Sequence, residues 1–119
     1  MIIADDEGPL MGIGSPGGER IPNSLTQVIT DWVASDRDLQ DIIDTPRFHL
    51  IDDNLIIEGS LESEQQNELL EIGYNVTNEA YPSISFGSIQ VLTIDRENNE
   101  LSGVADQRRE GDWRVETRD

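Results

Sequence analysis

The 119-residue sequence contains no cysteine and no lysine. Without cysteine it can form no disulfide, no thiolate metal site and no cysteine nucleophile, and the redox compartment stays open. Its one histidine, His49, cannot build a His-rich metal cluster. No apolar stretch approaches the roughly 20 residues that a membrane-spanning helix requires. The opening Met1-Ile2-Ile3-Ala4-Asp5-Asp6-Glu7 lacks the basic start and apolar run of a signal peptide, so a chain made as it stands is expected in the cytoplasm. The length allows one domain, 1–119, with a modest core.

What is present in excess is acid. Eight arginines face 25 carboxylates, a net charge of −17. Such a surface repels phosphate backbones, so nucleic acid is not expected as a partner unless the few arginines cluster, and without an apolar span no membrane is expected either. Two explanations remain for the charge. It marks a site for a basic partner, or it adapts the chain to high salt, where a shorter Debye length relieves self-repulsion. The acids are scattered and interleaved with apolar positions, a dispersed pattern that favours salt adaptation.

Periodicity gives the elements. Ile2 to Ala4 and Leu10 to Ile13 read as a hairpin around an acidic turn. Ile21, Leu25, Val28, Ile29, Trp32 and Val33 recur at spacings of three and four, predicting a helix over 22–34 with Pro22 in its opening turn. Leu39, Ile42 and Ile43 predict a shorter helix that ends before Pro46. Asn54 to Glu58 is a strand. Ser63 and Gln66 have capping-box spacing before Leu69, Leu70 and Ile72, and Gly73 supplies the stop. Asn75 to Thr77, Ile89 to Ile94 and Leu101 to Ala105 complete the strands, and the polar tail 107–119 is expected to fray in part. Hairpins at both ends with helices grouped between them predict an α+β fold with a mainly antiparallel sheet and about three helices.

Gly14-Ser15-Pro16-Gly17-Gly18 places a flexible glycine pair before the first helix. Glycine permits the torsions that turn backbone amides toward a negative charge, and the first helical turn leaves donors unpartnered. A plain turn is the competing reading. A Walker phosphate loop needs a lysine, which is absent. Gly12, Gly14 and Gly17 have dinucleotide-loop spacing, but Asp36 follows a helix where that motif needs an acid ending a second strand. Asp52-Asp53 and Asp5-Asp6-Glu7 read as solvated turns, since no twelve-residue calcium loop surrounds them. No metal or other cofactor is expected. His49, beside Phe48, reads as packed at a core edge. No nucleophile elbow surrounds Ser15.

Four segments in order, the hairpin running into Gly14-Ser15-Pro16-Gly17-Gly18, then Pro46-Arg47-Phe48-His49, then Gly103-Val104-Ala105-Asp106-Gln107-Arg108-Arg109-Glu110-Gly111, resemble the C-terminal part of the small subunit of the gamma-glutamyltransferases. That resemblance spans nearly the whole sequence. It implies part of an αββα sandwich of N-terminal-nucleophile hydrolase type, from a chain that cleaves itself into two subunits. It implies that Gly17 and Gly18 supply the backbone amides of an oxyanion hole, the group of donors that meets developing negative charge. It further casts Arg47, Asp106, Arg108 and Arg109 as structural ion-pair residues. Gln107 stands where the family usually has proline.

The departures are as informative. The family's nucleophile is an N-terminal threonine whose own amine acts as base. Thr26, Thr30, Thr45, Thr77, Thr93 and Thr117 lie in unrelated contexts, so the nucleophile, the paired serines and the residues gripping the glutamyl group are expected upstream of this chain. The chain alone is then an inactive C-terminal fragment of an enzyme acting on glutathione-type gamma-glutamyl substrates. The alternative is a non-catalytic interaction domain that associates with itself or with a separately made partner. The expected partners are accordingly another copy of the chain or the missing upstream part. If the acidity is a salt adaptation, the unfolding midpoint rises between low and molar KCl; a flat or falling midpoint contradicts it.

Overall fold

The computed structural model describes residues 1–117. Strands β1 (Ile2–Asp5) and β2 (Gly8–Gly14) form the expected hairpin. Beyond a single 3₁₀ turn at Gly18–Arg20 come α1 (Ile21–Ala34) and α2 (Leu39–Asp44). Next are β3 (Phe48–Ile51), β4 (Asn54–Glu58), α3 (Ser63–Ile72) and β5 (Asn75–Glu79). A second 3₁₀ turn at Ile84–Phe86 leads into β6 (Gln90–Asp95) and β7 (Glu100–Val104). The result is an α+β fold with three α-helices among the described residues.

One sheet has the order β1-β2-β6-β7 and is antiparallel throughout. One of its faces is covered by α1 and α2. Met11, Ile13 and Val91 from the sheet meet Leu25 and Val28 of α1 and Ile42 and Ile43 of α2, with Ile89 beside them. Here the alternation of a strand and the three-to-four spacing of a helix point at the same layer. Val33, expected on the apolar face of α1, is instead 72% exposed.

The other sheet, β3-β4-β5, holds one unexpected strand and a parallel pair among strands that are otherwise antiparallel, as expected. Phe48 to Ile51 forms an unanticipated strand, pairing residue by residue with β4. Strand β5 runs parallel to β4, because α3 serves as the crossover that parallel strands require. The capping box also does not form. The N-cap is Glu62, without a side-chain capping bond, and the Gln66 amide donates to the Glu62 carbonyl at 3.0 Å. Gly73 does end the helix in a left-handed conformation, φ 117°. Helix α3 buries no residue completely, and a groove of about 590 Å³ opens beside it between Phe48, Leu50, Leu55, Ile57, Leu69 and Tyr74.

Two arginines and two carboxylates join these parts. Arg47, Glu58, Asp106 and Arg108 are each at most 3% exposed. Arg108 pairs with Glu58 at 2.6 Å and with Asp106 at 3.1 Å, while Arg47 pairs with Asp106 at 2.8 Å. The carboxylates also take amides, Arg47 and Ser83 on Glu58 and Ile89 and Arg108 on Asp106. Both guanidiniums donate to the Ile43 carbonyl at the end of α2, where a helix favours cations. Burial pushes the Asp106 carboxyl up, but the Ile89 and Arg108 amides and the two arginine charges outweigh it and hold the group below its ordinary value of 3.8. Burial pulls Arg108 down, and the Glu58 hydrogen bond and both carboxylate charges more than reverse that.

Beyond Arg108 the chain crosses the open face of the first sheet. A Cβ at Gly103 would lie 2.5 Å from Cγ of Trp113, so the indole sits directly on that glycine. Positions 118–119 of the expected tail lie outside the described residues. Arg109, expected in an ion pair, is exposed and donates to the Ile84 carbonyl at 2.9 Å.

Removing one partner of a buried pair leaves the other charge uncompensated. Asp106→Ala and Arg108→Ala are each expected to lower stability by about 3–5 kcal/mol in urea titrations. Arg109→Ala should stay within about 0.5 kcal/mol. Because the folded Asp106 carboxyl lies below 3.8, its contribution is present above the unfolded pKa and lost as pH falls through the folded value. Wild-type stability should therefore decline as pH falls below 3.8 toward the folded value, and Asp106→Ala should flatten that decline.

Candidate functional site

Strand β2 ends at Gly14, and the chain then turns through Ser15 and Pro16 into the glycine pair. Gly17 has φ 134° and Gly18 has φ 62°, both in the region that L side chains avoid. Gly17 is half-buried and Gly18 exposed. Among the described residues, neither amide donates to a backbone carbonyl. Two adjacent donors thus stand free just ahead of the 14-residue helix α1, whose N-terminal dipole adds to their positive field.

The loop is held from below and from the side. Gly87 is buried, with φ 75°, and a Cβ there would lie 2.2 Å from the Pro16 carbonyl oxygen. A Cβ at Gly17 would in turn lie 3.3 Å from the Gly87 Cα, so the two glycines let the segments touch. The Ser15 hydroxyl donates to the Pro16 carbonyl at 2.7 Å and accepts from the Ser88 amide at 3.3 Å. On the other side Arg20 donates to Glu79 at 3.3 Å, with its guanidinium 4.7 Å from the centre of the Phe86 ring. Burial raises the Glu79 carboxyl, but hydrogen bonds from Ser83 and Arg20 prevail and hold it below its usual range.

The charged cluster reaches the same place. Arg47 Nη1 donates to the Phe86 carbonyl at 3.1 Å, and Asp106 accepts from the Ile89 amide at 2.8 Å. Phe86 to Ile89 is therefore pinned at both ends, with Gly87 between them against Pro16. Sequence reasoning singled out Gly17, Gly18, Arg47, Asp106 and Arg108. It missed Glu58, Gly87, Arg20 and Glu79. An acid closing an apolar strand was the one available signal for Glu58; Gly87 had none, since its neighbours in space are 70 residues away in the chain.

The remaining candidates lie elsewhere. Gly12 and Gly14 are inside β2, opposite Leu92 and Gln90, which rules out their use in a dinucleotide loop. His49 is half-buried on β3, with Nδ1 3.3 Å from Nδ2 of Asn23 on α1. Asp5 pairs with Arg96, whose hydrogen bond lowers its carboxyl pKa to about 2, and Asp52 sits in the β3–β4 turn with φ 51°. Among the described residues no group of three or more acids or histidines could hold a metal ion, and no helix is long and apolar enough to cross a membrane.

Known proteins share this sequence and fold. The family described as Gamma-glutamyltranspeptidase matches residues 1–115. The capsule biosynthesis protein CapD proenzyme of Bacillus anthracis is 40% identical over 112 residues, 94% of this chain and 21% of that protein. The glutathione hydrolase proenzyme of Bacillus subtilis is 27% identical over 111 residues, 92% of this chain and 18% of that protein. The crystal structure of the Bacillus anthracis transpeptidase enzyme CapD superposes with a TM-score of 0.88 at 36% identity, covering 98% of this chain and 69% of that one. The chain spans about a fifth of the length of these curated relatives.

Positive φ at both loop glycines sets their substitution cost. Gly17→Ala and Gly18→Ala should each lower stability by about 1–3 kcal/mol, measured by chemical denaturation. Gly14→Ala, where a Cβ meets nothing within 4 Å, should leave stability unchanged or raise it slightly.

Proposed function

The chain belongs to the gamma-glutamyltranspeptidase family, and on that premise we propose that it is the C-terminal part of a gamma-glutamyl-transferring or hydrolysing enzyme and supplies its oxyanion hole. The observation that carries this reading is the pair of unpartnered amides at Gly17 and Gly18, fixed by positive φ at the head of α1. When a nucleophile attacks a gamma-glutamyl amide carbonyl, the oxygen gains charge as the carbon becomes tetrahedral. Donors already oriented toward that oxygen stabilise the intermediate without reorganising, and each contributes on the order of two to three powers of ten in rate. The names of the two relatives, a transpeptidase and a glutathione hydrolase, support gamma-glutamyl chemistry.

The threonine nucleophile and the groups that grip the glutamyl moiety belong to the upstream part of such an enzyme. In this reading the 119-residue chain alone releases no chromogenic amine from a gamma-glutamyl anilide. The same chain joined to a segment that carries the nucleophile does release it. Turnover by the purified chain alone would overturn the proposal.

A second reading rests on a different observation. The face of the first sheet opposite α1 and α2 carries Ile2 at 75% exposure, Leu101 at 53% and Leu92 at 49%. Trp113 covers only part of this face, at Gly103, and exposed apolar sheet surface in water favours association. In the complete αββα sandwich this face packs on a second sheet; alone, the chain acts as an interaction module that covers it with another copy. Light scattering at molar KCl and high protein concentration should then find a dimer or larger species, and a strictly monomeric chain would count against this reading.

A further inference from the structure

We propose that Gly87 and Ser15 are positioning residues for the Gly17 amide: together they clamp the Pro16–Gly17 peptide so that its N–H is turned outward. The inference deepens the oxyanion-hole reading and rests on it for its catalytic consequence, though not for its geometry.

A trans peptide unit is planar, with its carbonyl and its N–H pointing in opposite directions. Pro16–Gly17 is trans, since the cis bond among the described residues is Tyr81–Pro82. Whatever holds the Pro16 oxygen therefore aims the Gly17 hydrogen. Two groups hold that oxygen. The Ser15 hydroxyl donates to it at 2.7 Å, and the buried backbone of Gly87 approaches so closely that a Cβ would stand 2.2 Å from it and 2.6 Å from Ser15 Oγ. The oxygen therefore faces inward onto Gly87, and the N–H points away from that backbone. A peptide flip would leave the oxygen where the donor should be and remove one donor from the pair. Gly87 is itself fixed, because Arg47 takes the Phe86 carbonyl and Asp106 the Ile89 amide.

Any L side chain at 87 must displace the Pro16 carbonyl or leave φ 75°. Gly87→Ala and Ser15→Ala should both reorient or release the Gly17 N–H. The full chain, labelled with nitrogen-15, reports this through the residual dipolar coupling and exchange rate of the Gly17 amide. Both should change in each variant, while the amides of Ile43 and Val91 keep their wild-type values. In the enzyme completed by its upstream segment, kcat for the gamma-glutamyl anilide should fall ten- to a thousand-fold with KM nearly constant, because the interaction forms in the transition state. Should Gly87→Ala fail to fold, Ser15→Ala, which removes a hydrogen bond and adds no atom, carries the test alone. An unchanged Gly17 amide in the folded variants would overturn the clamp. A reoriented amide with unchanged kcat would support the clamp and overturn the oxyanion-hole reading instead.

Discussion

Two guanidiniums and two carboxylates out of water carry a desolvation penalty of several kcal/mol per ion, which is recovered only when the remaining donors and acceptors are also met. The cluster of Arg47, Glu58, Asp106 and Arg108 comes close to meeting all of them. Every carboxylate oxygen has a partner, four backbone amides take part, and three backbone carbonyls accept from the guanidiniums. Arg47 Nε alone has none. The charges sum to zero, and they join the end of α2, strand β4, the Phe86–Ile89 segment and the chain after β7. Hydrophobic packing does not make these connections, since the core under α1 and α2 belongs to the first sheet. The cluster is where the two sheets are tied together.

The same tie reaches the glycine loop. Arg47 and Asp106 hold Phe86 and Ile89, which sets the position of Gly87, and Gly87 meets the Pro16 carbonyl. Arg20 and Glu79 connect the other end of the loop to β5. Two unpartnered amides thus inherit their geometry from groups buried well below them. For the proposed oxyanion hole, this kind of support matters more than the donors' chemistry, because every residue except proline has a backbone amide. Gly17 and Gly18 adopt their positive φ values without strain because they carry no Cβ.

How much of this was legible in the sequence depended on range. Ile21 to Trp32 declared α1 because a helix repeats within a few residues, and Gly73 declared the end of α3 for the same reason. Strand β3 was hidden because Phe48 to Ile51 lacks alternation, and its partner β4 decides its conformation. The parallel β4–β5 pair followed from α3, yet periodicity carries no strand direction. Gly17 and Gly18 were visible as a motif, and Arg47, Asp106 and Arg108 as charged positions of a family pattern. Glu58 and Gly87 were not, because their roles exist only after residues far apart in sequence have met. Ser63 misled for a local reason: the chain enters the helix at Glu62, so the serine falls inside the first turn.

The buried cluster sets the glycine loop through the Phe86–Ile89 segment. Residue-resolved hydrogen exchange on Arg47→Met tests it most directly, since that change removes the donor to the Phe86 carbonyl while keeping an apolar stem. Exchange at Phe86, Gly87, Ile89, Arg20 and Ile21 should accelerate together, and by more than at Leu69 to Ile72 of α3. Equal acceleration everywhere, or a loop that exchanges as in the wild type while Phe86 and Ile89 open, would show that the cluster does not set the loop.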